Sequence, residues 1–127
     1  PPSMVGLSLS IPLWSSGKRA AGITEKKLAR QAAENSLADA RDGLMVQHKQ
    51  LRYNLSSAYE DFDTQKLNID VSQRVFESTS NKFEYGHASS LELTNASMTL
   101  LTAQSDYVQA ILNLVNAQIE LKKLLNK

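Results

Sequence analysis

Hydrophobic and polar positions change their rhythm twice along this chain. From Val5 to Leu13 the odd positions are all apolar (Val5, Leu7, Leu9, Ile11, Leu13). The even ones are small or proline (Gly6, Ser8, Ser10, Pro12). Strict period-two alternation predicts one β-strand with two unlike faces. Base rates favour a half-buried edge strand of a soluble sheet. The alternative is a membrane β-barrel strand, with an apolar lipid face and a small or polar lumen face. A lone strand cannot make a sheet, so its partners are expected outside this chain.

After Gly17 the rhythm becomes helical. All three prolines precede residue 13, and only Gly86 interrupts residues 44–127. Proline costs about 3 kcal/mol inside a helix and glycine about 1 kcal/mol, so their scarcity permits very long helices. One helix is expected over about 16–85, capped by Ser15 or Ser16. It would span roughly 100 Å at about 1.5 Å per residue. Within it, steps of four and three alternate through Leu51, Leu55, Ala58, Phe62, Gln65, Ile69, Ser72, Phe76, Thr79 and Phe83. That is a heptad seam, predicting a left-handed coiled coil. A second apolar line, Leu67, Val71 and Val75, lies off the seam.

Tyr85-Gly86-His87-Ala88-Ser89 predicts a turn between helices over about 86–89. Gly86 suits the left-handed position after a helix end. Ser89 and Glu92 have capping-box spacing, with Ala88 and Leu93 as a weak hydrophobic staple. The second helix, about 90–126, would be roughly 55 Å long. It carries two apolar stripes. One is Leu91, Met98, Leu101, Val108, Leu112, Val115 and Ile119. The other is Leu93, Leu100, Ala103, Tyr107, Ala110, Leu114, Ala117, Leu121 and Leu124. A simple hairpin needs one stripe per helix. Two stripes predict neighbours on two sides, as in a bundle or a closed tube of helices. The stretch from about Gly17 to Gln50 has no partner in the chain, which again predicts an oligomer or a longer polypeptide. Alone, the chain is expected to self-associate.

Composition narrows the function. The net charge is +1, from 14 basic and 13 acidic side chains, so there is no general field for nucleic acid. Cysteine is absent, which excludes disulfides, thiolate metal sites and a cysteine nucleophile. Residues 93–119 carry one charge, Asp106, but Thr, Asn, Ser and Gln run through them, so no transmembrane helix is read there. Pro1-Pro2-Ser3 has no basic run leading into an apolar one, so an excised or processed part of a longer chain is expected. No phosphate loop, nucleophile–base pair or metal-ligand spacing appears. Glu84–His87 is the only Glu-x-x-His, and it spans the turn, so a di-iron bundle is not expected. No cofactor is expected and no enzyme activity.

The order of parts resembles the C-terminal repeat of the TolC-type outer-membrane efflux proteins. The residues carrying the likeness are Gly6-Leu-Ser-Leu-Ser-Ile-Pro-Leu13 followed by Trp14-Ser-Ser-Gly-Lys-Arg19, and the turn Lys82-Phe-Glu-Tyr-Gly-His-Ala-Ser-Ser-Leu-Glu-Leu93. Leu100, Ala103, Tyr107, Ala110 and Ala117 continue it. The resemblance implies a mainly α fold: a long antiparallel coiled-coil hairpin (15–127) preceded by one outer-membrane β-barrel strand (1–14). It implies a homotrimeric channel, the efflux duct of a tripartite export pump or type I secretion system. Such a duct spans the periplasm and outer membrane of a Gram-negative bacterium, and its strand would meet outer-membrane lipid. Its partners would be a periplasmic adaptor (membrane fusion) protein and an inner-membrane pump. Tyr85, Gly86, His87, Ala88 and Ser89 would form the adaptor-contact tip, although turn chemistry alone accounts for Gly86 and Ser89. Glu92 and Asn95 match positions that constrict the pore, but only one is acidic, and capping alone accounts for Glu92. Phe83 and Ala88 stand where the family can carry a polar lock beside the turn, so gating would differ here. The alternative is a soluble coiled-coil module, such as the adaptor's own hairpin.

Overall fold

The computed structural model describes residues 2–9 and 15–126; the side chains of Ser15 and Ser16 lie outside it. The chain is mainly α: α1 runs Ser15–Glu84 (70 residues) and α2 runs Ser90–Leu125 (36 residues). It divides into two compact units, Pro1–Gly43 and Leu44–Lys127.

In the first unit, residues 2–9 have no regular structure and are exposed. The strand expected over 5–13 is therefore not supported at Val5–Leu9, while 10–13 lie outside the described residues. The physical reason is pairing: a strand needs a neighbour for its backbone donors and acceptors, and no described residue is in a strand. The expected cap at Ser15 or Ser16 falls on side chains outside the described residues. From Gly17 to Gly43 the α1 backbone is helical and every described residue but Gly22 is exposed. Ala-rich sequence and local pairs support it, such as Arg30 Nε to Glu34 Oε1 at 2.8 Å. Such exposed pairs contribute only about 0.3–0.5 kcal/mol each.

The second unit is an antiparallel hairpin of α1 (from Leu44) and α2. Its seam is the heptad seam of the sequence. Leu51, Leu55, Ala58, Phe62, Gln65, Ile69, Ser72, Phe76 and Thr79 are all half-buried. Facing them are Leu93, Leu100, Tyr107, Ala117, Leu121 and Leu124, half-buried, and Ala96, Ala103 and Ala110, buried. Labelling heptads from Leu55 and Leu93 as position a, the a residues are large and most of the d residues small. A large side chain on one helix thus faces a small one on the other, which lets the backbones approach closely. The rings of Phe62 and Tyr107 lie 5.5 Å apart at 33°. Gln118 Nε2 donates to Tyr59 Oη at 3.0 Å, linking the helices on one flank. Gln65 sits in the seam because its own helix satisfies it: it donates to Asp61 Oδ1 and accepts from Asn68 Nδ2, each at 3.2 Å.

Phe83 departs from the expected seam and is 42% exposed. The helix ends at Glu84, so no turn of α2 lies opposite to cover it. Ala96, in contrast, is outside both expected stripes and is buried. The three-four spacing between Leu93 and Leu100 passes through it.

Candidate functional site

The turn builds itself from local chemistry. Gly86 has φ of +73°, the left-handed region that glycine enters without a Cβ penalty. His87 N–H donates to Lys82 O at 2.7 Å and Gly86 N–H donates to Phe83 O at 3.0 Å. This 6→1 and 5→2 pair is a Schellman ending, and it satisfies carbonyls that the helix end would leave free. Three residues later Ser89 caps α2. Glu92 N–H donates to Ser89 Oγ at 3.1 Å, and Ser89 N–H donates to Glu92 Oε2 at 2.6 Å. The expected capping box is complete.

These bonds hold the Glu92 carboxyl below its ordinary value. The largest cause is the Ser89 backbone donor, then the Ser89 hydroxyl, with Lys82 adding a favourable charge. Glu92 is thus an anion bound to the turn. Asn95 is exposed on the same side of α2, its backbone carbonyl accepting from Thr99 Oγ1 at 2.9 Å. Glu92, Asn95, His87 and Ala88 line one shallow hollow of about 400 Å³, together with Lys82 and Thr99. Tyr85 is 78% exposed, and His87 and Ser89 are also exposed, while Ala88 is half-buried. The structure therefore brings the pore candidates and most of the tip candidates to one end of the hairpin.

Beyond the tip, α2 has three distinct flanks. The a and d positions meet α1. Positions b and f carry Leu91, Met98, Leu101, Val108, Leu112, Val115 and Ile119, all exposed. Between Asn95 and Asn116, positions c and g carry Asn95, Thr99, Thr102, Asp106, Gln109, Asn113 and Asn116, a polar stretch with one charge. Part of it opens on a groove of about 500 Å³ that also includes Gln65, Asn68 and Ser72 of α1. The sequence pattern marks the apolar back as a stripe of its own but does not say which helix flank faces α1. The heptad register set by the buried alanines does. The Tyr59–Gln118 link is likewise invisible in the sequence, because its residues are 59 positions apart and neither sits in a local motif.

Among the described residues no group of His, Asp or Glu could hold a metal ion, and no helix is long and apolar enough to cross a membrane. What the geometry defines is a helical hairpin with a closed tip, one satisfied seam and one open apolar stripe. The chain belongs to the outer membrane efflux protein family, whose model matches residues 2–127. This is a family of outer-membrane transport channels rather than of enzymes, and the match does not favour the adaptor-hairpin alternative. No curated protein and no solved structure matches the chain.

Proposed function

We propose that this chain supplies one wall hairpin of a passive, trimeric export duct that joins a tripartite pump or type I secretion system. In this reading the duct carries solutes across the periplasm and outer membrane of a Gram-negative bacterium. Residues 15–127 form part of the periplasmic tube, and residues 1–14 supply a barrel strand once neighbouring strands pair with it. The energy comes from an inner-membrane pump, coupled through a periplasmic adaptor protein.

The observation that carries the reading is the second stripe of α2. Leu91, Met98, Leu101, Val108, Leu112, Val115 and Ile119 remain exposed although the hairpin has already formed its own seam. Apolar area left in water costs roughly 25 cal/mol per Å², so a continuous stripe favours a neighbour on that side. A tube gives every wall helix two neighbours and leaves a third flank to water. The c and g flank of α2 suits that third role. Family membership supports the same assembly.

The tip reading follows from position. Tyr85, Gly86, His87, Ala88 and Ser89 close the hairpin and offer an adaptor an exposed ring and imidazole on a hydrogen-bonded frame. Glu92 and Asn95, just above, would narrow the entrance. Because Glu92 is tied to Ser89, Asn95 is the freer of the two to meet a solute.

Conductance of the full-length protein in a planar bilayer tests the duct. Discrete ion-conducting steps are expected, and their absence would end the reading. The tip is tested by a single His87→Cys change carrying a photo-crosslinker, since this chain has no other cysteine. Crosslinking to a periplasmic adaptor is expected from His87→Cys but not from a cysteine placed at Asp63, well away from the turn.

A further inference from the structure

Asp106 is the one charge between Leu93 and Ile119. It stands two heptads from Glu92 and two from Glu120, all three at position g of α2. At about 1.5 Å per residue that spaces them about 21 Å apart along the helix. Their surroundings differ. Glu92 is bound into the capping box. Glu120 faces Lys123 Nζ at 3.8 Å. Asp106 is exposed in the groove beside Asn68, Thr99 and Thr102, and no ion pair is found for it among the described residues.

The two faces of the hairpin also differ. In an antiparallel pair the g positions of both helices share one face and the e positions the other. The groove joining Asn68 to Asp106 marks the first face. The Tyr59–Gln118 bond marks the second. On the second face α1 carries charges of both signs at its e and b positions, including Arg52, Asp63, Lys66, Asp70 and Glu77. The first is mostly hydroxyls and amides apart from the tip and the far end, interrupted by exposed Val71 and Val75 of α1. Its other mid-length acid, Asp61, is held by a hydrogen bond from Gln65 Nε2 at 3.2 Å and keeps its charge. A dense mixed-charge face suits open water. A nearly neutral polar face suits an enclosed column of water, where low-dielectric walls focus the field of its few acids. Asp106 is the mid-length one with neither an ion pair nor a side-chain hydrogen bond among the described residues, and Asp61 adds to the same field.

We infer that Asp106 is the charge-selecting side chain midway along the duct, favouring cationic over anionic solutes. The inference rests on the duct reading above and adds to it a residue remote from the tip. The carboxylate works through its field, so its influence is largest at low salt and fades as the Debye length falls below about 10 Å above roughly 0.1 M salt.

The test is the reversal potential of the full-length channel in a planar bilayer under a KCl gradient. The wild type is expected to prefer potassium to chloride. Asp106→Asn should lower that permeability ratio by about two-fold or more at low salt. Asp106→Lys should move it further toward chloride. Asp63→Asn, on the opposite face, should leave it unchanged. If both Asp106 variants conduct with the wild-type reversal potential, the inference is overturned. A wild-type protein that forms no channel would instead bring down the duct reading itself, and this residue's role with it.

Discussion

Two stripes run along the same helix, two residues apart, and meet opposite fates. Ala110 is 1% exposed against α1, while Val108 is 55% exposed on the far side of α2. By hydrophobicity alone valine should be the buried one. The difference shows that small side chains hold the hairpin together: the alanines at d let two backbones come close. The exposed Leu, Met, Val and Ile side chains of the other stripe are left for a contact the hairpin does not make. One stripe specifies the pair and the other specifies the assembly.

The most direct way to break this comparison is to place a charge in each stripe. Ala110→Glu buries a carboxylate with no partner and should destabilise the hairpin by about 3 kcal/mol or more, seen as lost helical signal in thermal melts. Val108→Glu should leave the pairing of α1 and α2 in place but abolish the self-association expected of the isolated chain. Light scattering reads that outcome. A wild-type chain that is already a monodisperse monomer would contradict the second stripe's role.

Size rather than charge gives a sharper and smaller test. Ala103→Leu adds bulk where the helices are closest and should cost about 1–3 kcal/mol by urea titration. Leu101→Ala, next to it on the open stripe, should cost the hairpin well under that. Equal losses would mean that the two stripes are not distinct surfaces.

The turn is a third region, and its effects are smaller still. Gly86→Ala forces a Cβ into φ of +73° and should cost about 1 kcal/mol, although open space surrounds the position. Ser89→Ala removes the cap and should cost about 1 kcal/mol as well, at neutral pH. The pH sign follows from Glu92, whose folded value is depressed. Its contribution is present above the ordinary glutamate range and is lost as pH falls through the lower folded value. The Ser89→Ala penalty measured by thermal melts should therefore shrink on acidification. A penalty that grew instead would show that Glu92 does not carry the cap.

Much of this is legible in the sequence because it is local. Gly86, Ser89 and Glu92 act on neighbours within one helical turn, so spacing alone locates the turn and its cap. The seam from Leu51 to Thr79 is legible for a related reason: heptad steps reflect helix geometry and need no knowledge of the partner. Phe83 falls outside the seam because the same periodicity does not say where the opposing helix stops. Alternation predicts a strand at Val5–Leu9, but it supplies faces and no hydrogen-bonding partner.

The amino-acid order alone determined two long helices, a glycine-centred turn with a capping box, and two apolar stripes on α2. Each follows from torsional preference and periodicity along one segment. Only the tertiary structure decided which stripe is closed and which is open, that Ala96, Ala103 and Ala110 form the buried contact, and that Asp106 sits in a groove lined by both helices. Those outcomes depend on how two distant segments meet, and side-chain volume at the crossing settles that rather than hydrophobicity along either segment.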